Sequence, residues 1–210
     1  MPTIKADALR DFTIALLETG GFAANHAIQT ADMLIWANLR GVDSHGVLRV
    51  PRYVEMLEQG IIVSRDGPTL VSETGAVAVL DGGKCPGAVG MNAAVAKAAF
   101  LARSHGLGWC AARNISHCGA LGHFTDTLAR DGLIGIAMSA SKPLMSYFGA
   151  KGEALSTNPL SIAVPSRAGV PMILDMSTAA VALGKIMAAR DQGASIPEGW
   201  GIDENGKPTT

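Results

Sequence analysis

Within Gly41-Val42-Asp43-Ser44-His45-Gly46-Val47-Leu48-Arg49-Val50-Pro51-Arg52-Tyr53, an imidazole, a guanidinium and a phenol recur at four-residue steps. If a helix begins near Gly46, His45 sits at its mouth and Arg49 and Tyr53 follow along one face, because residues four apart stack on a helix surface. Imidazole exchanges a proton near neutral pH. Guanidinium grips a carboxylate through two parallel hydrogen bonds. Together these groups suit a small acid with a carbonyl or hydroxyl beside its carboxylate. The plainer reading is a surface helix with scattered polar residues, which any one of the three alone would favour. Their joint spacing after a Gly-x-Asp-Ser-His turn favours chemistry.

The elements that must position these residues are helical. Ile4 to Thr19 carries Ile4, Leu9, Phe12, Leu16 and Leu17 at helical spacing and ends at Gly20-Gly21. A second helix is expected from Asn25 to Leu39, closed by Gly41, after which Asp43 or Ser44 can cap the next one. That third helix carries Val47, Val50, Val54 and Leu57 and stops at Gly60, with Pro51 in its first turn or kinking it. The pattern then changes. Strands are expected at 69–73 and 76–80, with Asp81-Gly82-Gly83 as a turn. An Ala-rich helix follows from Pro86 to His105, closed by Gly106, and then a buried strand at 107–112. A helix at 121–130, strands at 133–139, 161–164 and 172–174, and a helix from Ala179 to Gln192 complete the series, before a loop-and-turn end. Helices first, then mixed strands and helices, argue an α/β or α+β fold. We expect a helical unit over 1–65 and a mixed α/β unit over 66–210.

The chain has 210 residues, 48% hydrophobic and 17% charged, with 25 glycines, an ordinary globular profile large enough for a substantial core. A formal net charge of −1 and dispersed Lys and Arg supply no field for nucleic acid or an anionic membrane. No apolar run reaches the roughly 18 residues of a membrane span. No apolar run follows the charges of Met1-Pro2-Thr3-Ile4-Lys5-Ala6-Asp7, so no signal peptide is read and the cytoplasm is the expected location. Cys85, Cys110 and Cys118 have no Cys-x-x-Cys spacing and read as free thiols, with Cys110 in the core.

Asn114-Ile115-Ser116-His117-Cys118-Gly119-Ala120-Leu121-Gly122 follows a strand and opens a helix, where small residues and free N–H groups suit an anion such as a pyrophosphate. His117 could face the reacting centre; a Gly-rich connector with a satisfied histidine is the equal alternative. His117, Cys118 and His123 match no standard zinc spacing, so no metal is expected. The nearest dinucleotide fingerprint, Gly106-Leu107-Gly108-Trp109-Cys110-Ala111, leads from a helix into a strand, the reverse of the Rossmann context, and is rejected. Ser156-Thr157-Asn158-Pro159 reads as a turn offering a hydroxyl and an amide. Asp175-Met176-Ser177-Thr178 is a strand end in which Asp175 or Ser177 can cap the next helix or meet ribose hydroxyls.

Ser44-His45-Gly46-x-x-Arg49-x-x-x-Tyr53 resembles the signature of the type 2 malate/L-lactate dehydrogenases, NAD(P)-dependent enzymes of malate, lactate, sulfolactate, ureidoglycolate, diketogulonate and cyclic-imine acids. The segments at 114–122, 155–160 and 174–178 are similar to that family's Asn-Ser-x-His-x-Gly-Ala, Gly-Thr-Asn-Pro and Asp-Met-Ala-Thr segments in the same order, with Ser156 in place of Gly. The resemblance implies a distinct, mostly antiparallel, non-Rossmann cofactor fold and a homodimer. It implies NAD or NADP contacts at His117, Cys118, Gly119, Ala120, Leu121, Ser141, Asp175, Met176 and Ser177, and a proton-transfer role for His117. Gly184-Lys185 stands where some imine-reducing members have an acid, so that role is not carried over. The family's chains are considerably longer, which implies that their C-terminal part has no counterpart here. The combined expectation is hydride transfer between NAD(P) and C2 of a small 2-oxo or 2-hydroxy acid. Arg49, Tyr53 and Thr157 bind the acid, His45 exchanges the proton, and Ser44 orients His45. Two rivals are weighed. A Ser44/His45 hydrolase is disfavoured because neighbouring residues do not easily form the required hydrogen bond and no Gly-x-Ser-x-Gly elbow exists. The other is a catalytically inactive relative serving as a binding or assembly protein.

Overall fold

The computed structural model describes residues 3–181 and 183–210; Met1 and Pro2, the start of the expected leaderless terminus, and Ala182, inside the helix expected at 179–192, lie outside them. Helices α1 (Ala6–Thr19), α2 (Ala24–Leu39) and α3 (Val50–Glu58) come first. Strands β1 (Thr69–Thr74) and β2 (Val77–Cys85), helix α4 (Gly87–His105) and β3 (Trp109–Ile115) follow. Then come α5 (Gly122–Arg130), β4 (Gly135–Met138), β5 (Leu160–Val164), β6 (Met172–Met176), α6 (Leu183–Asp191) and the short pair β7 (Gly201–Ile202) and β8 (Pro208–Thr209).

The sheets are mixed and small. β1 runs antiparallel and β3 parallel to β2, whereas β4–β5–β6 is wholly antiparallel. Among the described residues no strand-turn-helix carries a Rossmann fingerprint: Gly106, in left-handed conformation at φ 80°, closes α4, and Gly108 lies against the α4 backbone before β3. Leu17, Met33 and Leu34 from the helices meet Ala88 of α4, Leu121 and Phe124 of the α5 segment and Ala137 of β4 in one apolar core. The helices and the sheet elements therefore stabilise each other. No described helix is long and apolar enough to cross a membrane.

Three local expectations are corrected. Asp81-Gly82-Gly83 does not reverse the chain. It is an irregularity inside β2, where Asp81 Oδ1 accepts from Gly83 N–H (3.0 Å), and pairing with β3 resumes at Cys85. Cys110 is half-exposed because β3 is an edge strand; the thiol in the core is Cys85, fully buried. On α1, Thr13 and Leu17 are buried while Phe12 and Leu16, like Ile4 just before the helix, stay exposed, so its apolar stripe is only partly used. The open face of the second sheet is apolar too, with Ile136, Met138, Leu174 and Met176 about half exposed.

Gly119 shows how the core holds the segment that carries His117. Its φ is +66°, and a Cβ there would lie 2.5 Å from Met33 Sδ. Gly41 has a similar φ of +70° with nothing nearby. Gly41→Ala should therefore destabilise by about 1 kcal/mol, the left-handed penalty alone. Gly119→Ala should cost about 2 kcal/mol or more, because overpacking is added. Urea unfolding of both variants checks this; equal losses would contradict it.

Candidate active site

The segment between α2 and α3 is not one helix. It forms two 3-10 turns, Asp43–His45 and Val47–Arg49, separated by Gly46 in extended conformation. This corrects the expectation of a continuous helix from Gly46, and Pro51 takes the first turn of α3. Neither Asp43 nor Ser44 caps a helix. Asp43 Oδ1 accepts from Asn38 Nδ2 (2.6 Å), and Val47 N–H donates to Asn38 Oδ1 (2.9 Å). Gly46 is buried against that amide. Sequence reading missed Asn38, because its partners lie past a helix end.

The turns bring the expected groups together by another route. Ser44 Oγ lies 3.0 Å from His45 Nδ1, and Arg49 Nε donates to the Ser44 carbonyl oxygen (2.7 Å). The His45 and His117 rings are stacked, 5.6 Å between centroids and 29° apart. Tyr53 is buried, and its hydroxyl lies 2.8 Å from His117 Nδ1. Each imidazole is thus tied through Nδ1 to a hydroxyl, leaving Nε2 as its working edge. Arg49 is half-buried and, among the described residues, has no carboxylate within salt-bridge distance; its Nη groups carry no side-chain or backbone partner. That matters because a crowded, uncompensated cation favours an anionic ligand.

The charge of Arg49 is felt by its neighbours. Burial, and secondarily Arg49, hold His45 below the usual histidine value. His117 is lowered to about 4 by desolvation first, then by Arg49 and His45. His117 as a whole residue is exposed to solvent, which moderates the desolvation. Burial pushes the Tyr53 phenol well up, so it stays protonated. The site at pH 7 is one cation beside two neutral imidazoles.

The expectation that neighbouring Ser44 and His45 do not easily pair is also corrected, since they do. A nucleophilic triad needs an acid behind the base. His45 has Arg49 and His117 instead.

The remaining candidates lie along α5 and the second sheet. The α5 start does not offer a free N–H at Gly122, which donates to Asp175 Oδ2 (2.7 Å). The carboxylate occupies the place expected for a pyrophosphate, and Asp175 caps α5 rather than the following helix. Partial burial raises the Asp175 pKa, with the Gly122 N–H opposing. Ser177 Oγ accepts from Ala179 N–H (2.9 Å) in a local turn; α6 starts only at Leu183, so the expected cap of a helix beginning at Ala179 is corrected. Ala120 and Leu121 bury their side chains in the core, leaving only backbone for a ligand. Cys118 is half-buried, and burial raises its thiol pKa to about 11. Met176 is half-exposed at the end of β6. Ser141 Oγ pairs with Ser156 Oγ (2.7 Å). The Thr157 carbonyl accepts from Thr178 N–H and Oγ1, both at 2.9 Å. His123 packs edge-on against Trp36 and Phe124.

The profile of the malate/L-lactate dehydrogenases matches residues 4–210. The chain belongs to the malate/L-lactate dehydrogenase family. It is 38% identical over 206 residues to a malate dehydrogenase of Pyrococcus abyssi, covering 98% of this chain and 57% of that protein. It is 36% identical over 211 residues to the malate/(S)-sulfolactate dehydrogenase of Methanothermus fervidus, covering 99% and 61%. The crystal structure of a dehydrogenase from Sinorhizobium meliloti superposes with a TM-score of 0.92 at 35% identity, covering all of this chain and 61% of that one. This family member thus spans about three fifths of the length of these relatives.

The two depressed imidazoles give a signed pH dependence. An unfolded histidine takes up its proton near pH 6.5, whereas these do so only at lower pH. The unfolded state therefore binds more protons in that window, and stability should fall as pH drops below about 6.5 toward 4. NMR titration should find both rings neutral at pH 7. Arg49→Met should raise both values; unchanged values would contradict the Arg49 assignment.

Proposed function

We propose that the protein is a hydroxy acid dehydrogenase that transfers hydride between a nicotinamide cofactor and C2 of a small 2-oxo or 2-hydroxy acid of the malate, lactate or sulfolactate type. The observation that carries this reading is the half-buried Arg49, with no carboxylate partner among the described residues, beside two neutral, hydroxyl-tethered imidazoles. The names of the relatives support the substrate class.

In this reading the Arg49 Nη groups hold the substrate carboxylate while Nε stays on Ser44. When His45 Nδ1–H donates to Ser44 Oγ, Nε2 is the base that takes the proton of the C2 hydroxyl during oxidation. A neutral base at pH 7 suits that direction. A bound carboxylate offsets the Arg49 charge, which raises the imidazole pKa and readies the donor for reduction. Tyr53 fixes His117 beside the same oxygen. This assigns Tyr53 a positioning role more than direct substrate contact, since its side chain is buried. Thr157 remains a candidate for substrate contact on the family resemblance alone.

A nicotinamide cofactor, NAD or NADP, supplies the hydride acceptor or donor. The residues fit its uncharged polar parts: Asn158 Oδ1 is buried without a partner, and hydroxyls stand close by at Ser141 and Ser156. Ser141, Asp175 and Ser177 would hold ribose hydroxyls or the carboxamide, with backbone of 118–121 beside them. The Gly122 N–H, already taken by Asp175, does not fit a phosphate.

His45→Ala should lower malate-dependent reduction of NAD or NADP by about 100- to 10,000-fold while leaving the cofactor-induced melting shift intact. Arg49→Gln should weaken malate binding by about tenfold or more. Turnover unaffected by His45→Ala removes it from the mechanism.

A further inference from the structure

We propose that Asn38, seated in the notch left by Gly46, is the positioning residue that sets the spacing between His45 and Arg49. The idea rests on the function proposed above, but its geometry stands independently. Asn38 lies in the last turn of α2, and its amide reaches both 3-10 turns at once. Nδ2 donates to Asp43, the first residue of the turn that ends in His45. Oδ1 accepts from Val47 N–H, the first of the turn that ends in Arg49. One planar amide therefore ties together the two segments whose last side chains are the imidazole and the guanidinium. An amide is suited to this task, because only its donor and acceptor together serve a carboxylate and an N–H.

Gly46 makes the arrangement possible. Its φ of −88° is open to any residue, so backbone conformation does not require glycine. Close approach does: a Cβ would fall 2.5 Å from Asn38 Nδ2 and meet the rest of the amide as well. A single methyl would push Asn38 out of its place. The third tie, Arg49 Nε to the Ser44 carbonyl, holds the guanidinium to the first turn but does not anchor either turn to α2.

The test is a double-mutant cycle in the full chain with Asn38→Ala, Gly46→Ala and the pair, reading malate kcat and KM and the NMR titration of His45. Each single variant should lower kcat by about 10- to 100-fold, the scale of misplacing a reacting group by about 1 Å. KM should move by less than about threefold, because Arg49 keeps its tie to Ser44 and its grip on the carboxylate. In the Asn38→Ala background the added methyl has room, so the pair should be no worse than Asn38→Ala alone. The His45 titration should move up toward the ordinary histidine value in both singles, as the turn that carries the ring loosens and its burial, the larger cause of the depression, is relieved. This last readout needs no turnover, so a chain inactive on malate would sink the proposed function while the titration still decides the role of Asn38. Should Asn38→Ala fail to fold, Asp43→Ala removes one of the two ties and should shift His45 in the same direction by less. Additive losses in the cycle, or a His45 titration unmoved by these changes, overturn the proposal.

Discussion

A guanidinium in a crowded place, with no carboxylate to meet it, is an open electrostatic demand. Among the described residues Arg49 is in that position, and its surroundings carry the consequence. It lowers the proton affinity of His45 and His117, adding to the larger effect of burial. Its protein bond is spent on a carbonyl oxygen, which orients the side chain without cancelling its charge. In the function proposed above, an incoming carboxylate would satisfy the cation and, by doing so, change the proton affinity of both rings. Recognition and acid–base chemistry are then two effects of the same charge.

The frame around that charge draws on distant parts of the chain. The last turn of α2 holds the segment with His45 and Arg49 through Asn38. The first turn of α3 contributes Tyr53, whose hydroxyl crosses to His117 on the β3–α5 connection. That connection is fixed from below by Gly119 on Met33 and from the far side by Asp175 of β6 on Gly122. The helices and the second sheet thus share both an apolar core and a site.

The parts legible in the sequence were those with local causes. Glycines with left-handed backbone at 21, 41, 60 and 106 marked helix ends, and Pro51 lay where the first turn of α3 forms. Apolar spacing marked α1 to α3, an Ala-rich run marked α4, and the His45-Arg49-Tyr53 series picked out side chains that the structure places near one another. What stayed hidden depends on partners far along the chain. The break at Gly46 follows from an amide on the preceding helix. The run at Asp81-Gly82-Gly83 has the composition of a turn, but the parallel partner β3 keeps it in the sheet. Asp175 lies 53 residues from the helix start it caps, and Tyr53 lies 64 from His117. No local pattern announces such pairings. Cys110 looked like core because its neighbours are apolar, but an edge strand covered on one side leaves it half-exposed.

The most direct measurement is calorimetric titration of L-malate into the protein at about pH 6, in two buffers of different ionisation enthalpy. If the substrate carboxylate satisfies Arg49 and lifts the imidazole pKa values, binding must draw protons from the buffer. Net proton uptake that disappears in Arg49→Gln is the predicted result; binding with no proton uptake, or binding indifferent to Arg49→Gln, would contradict the account.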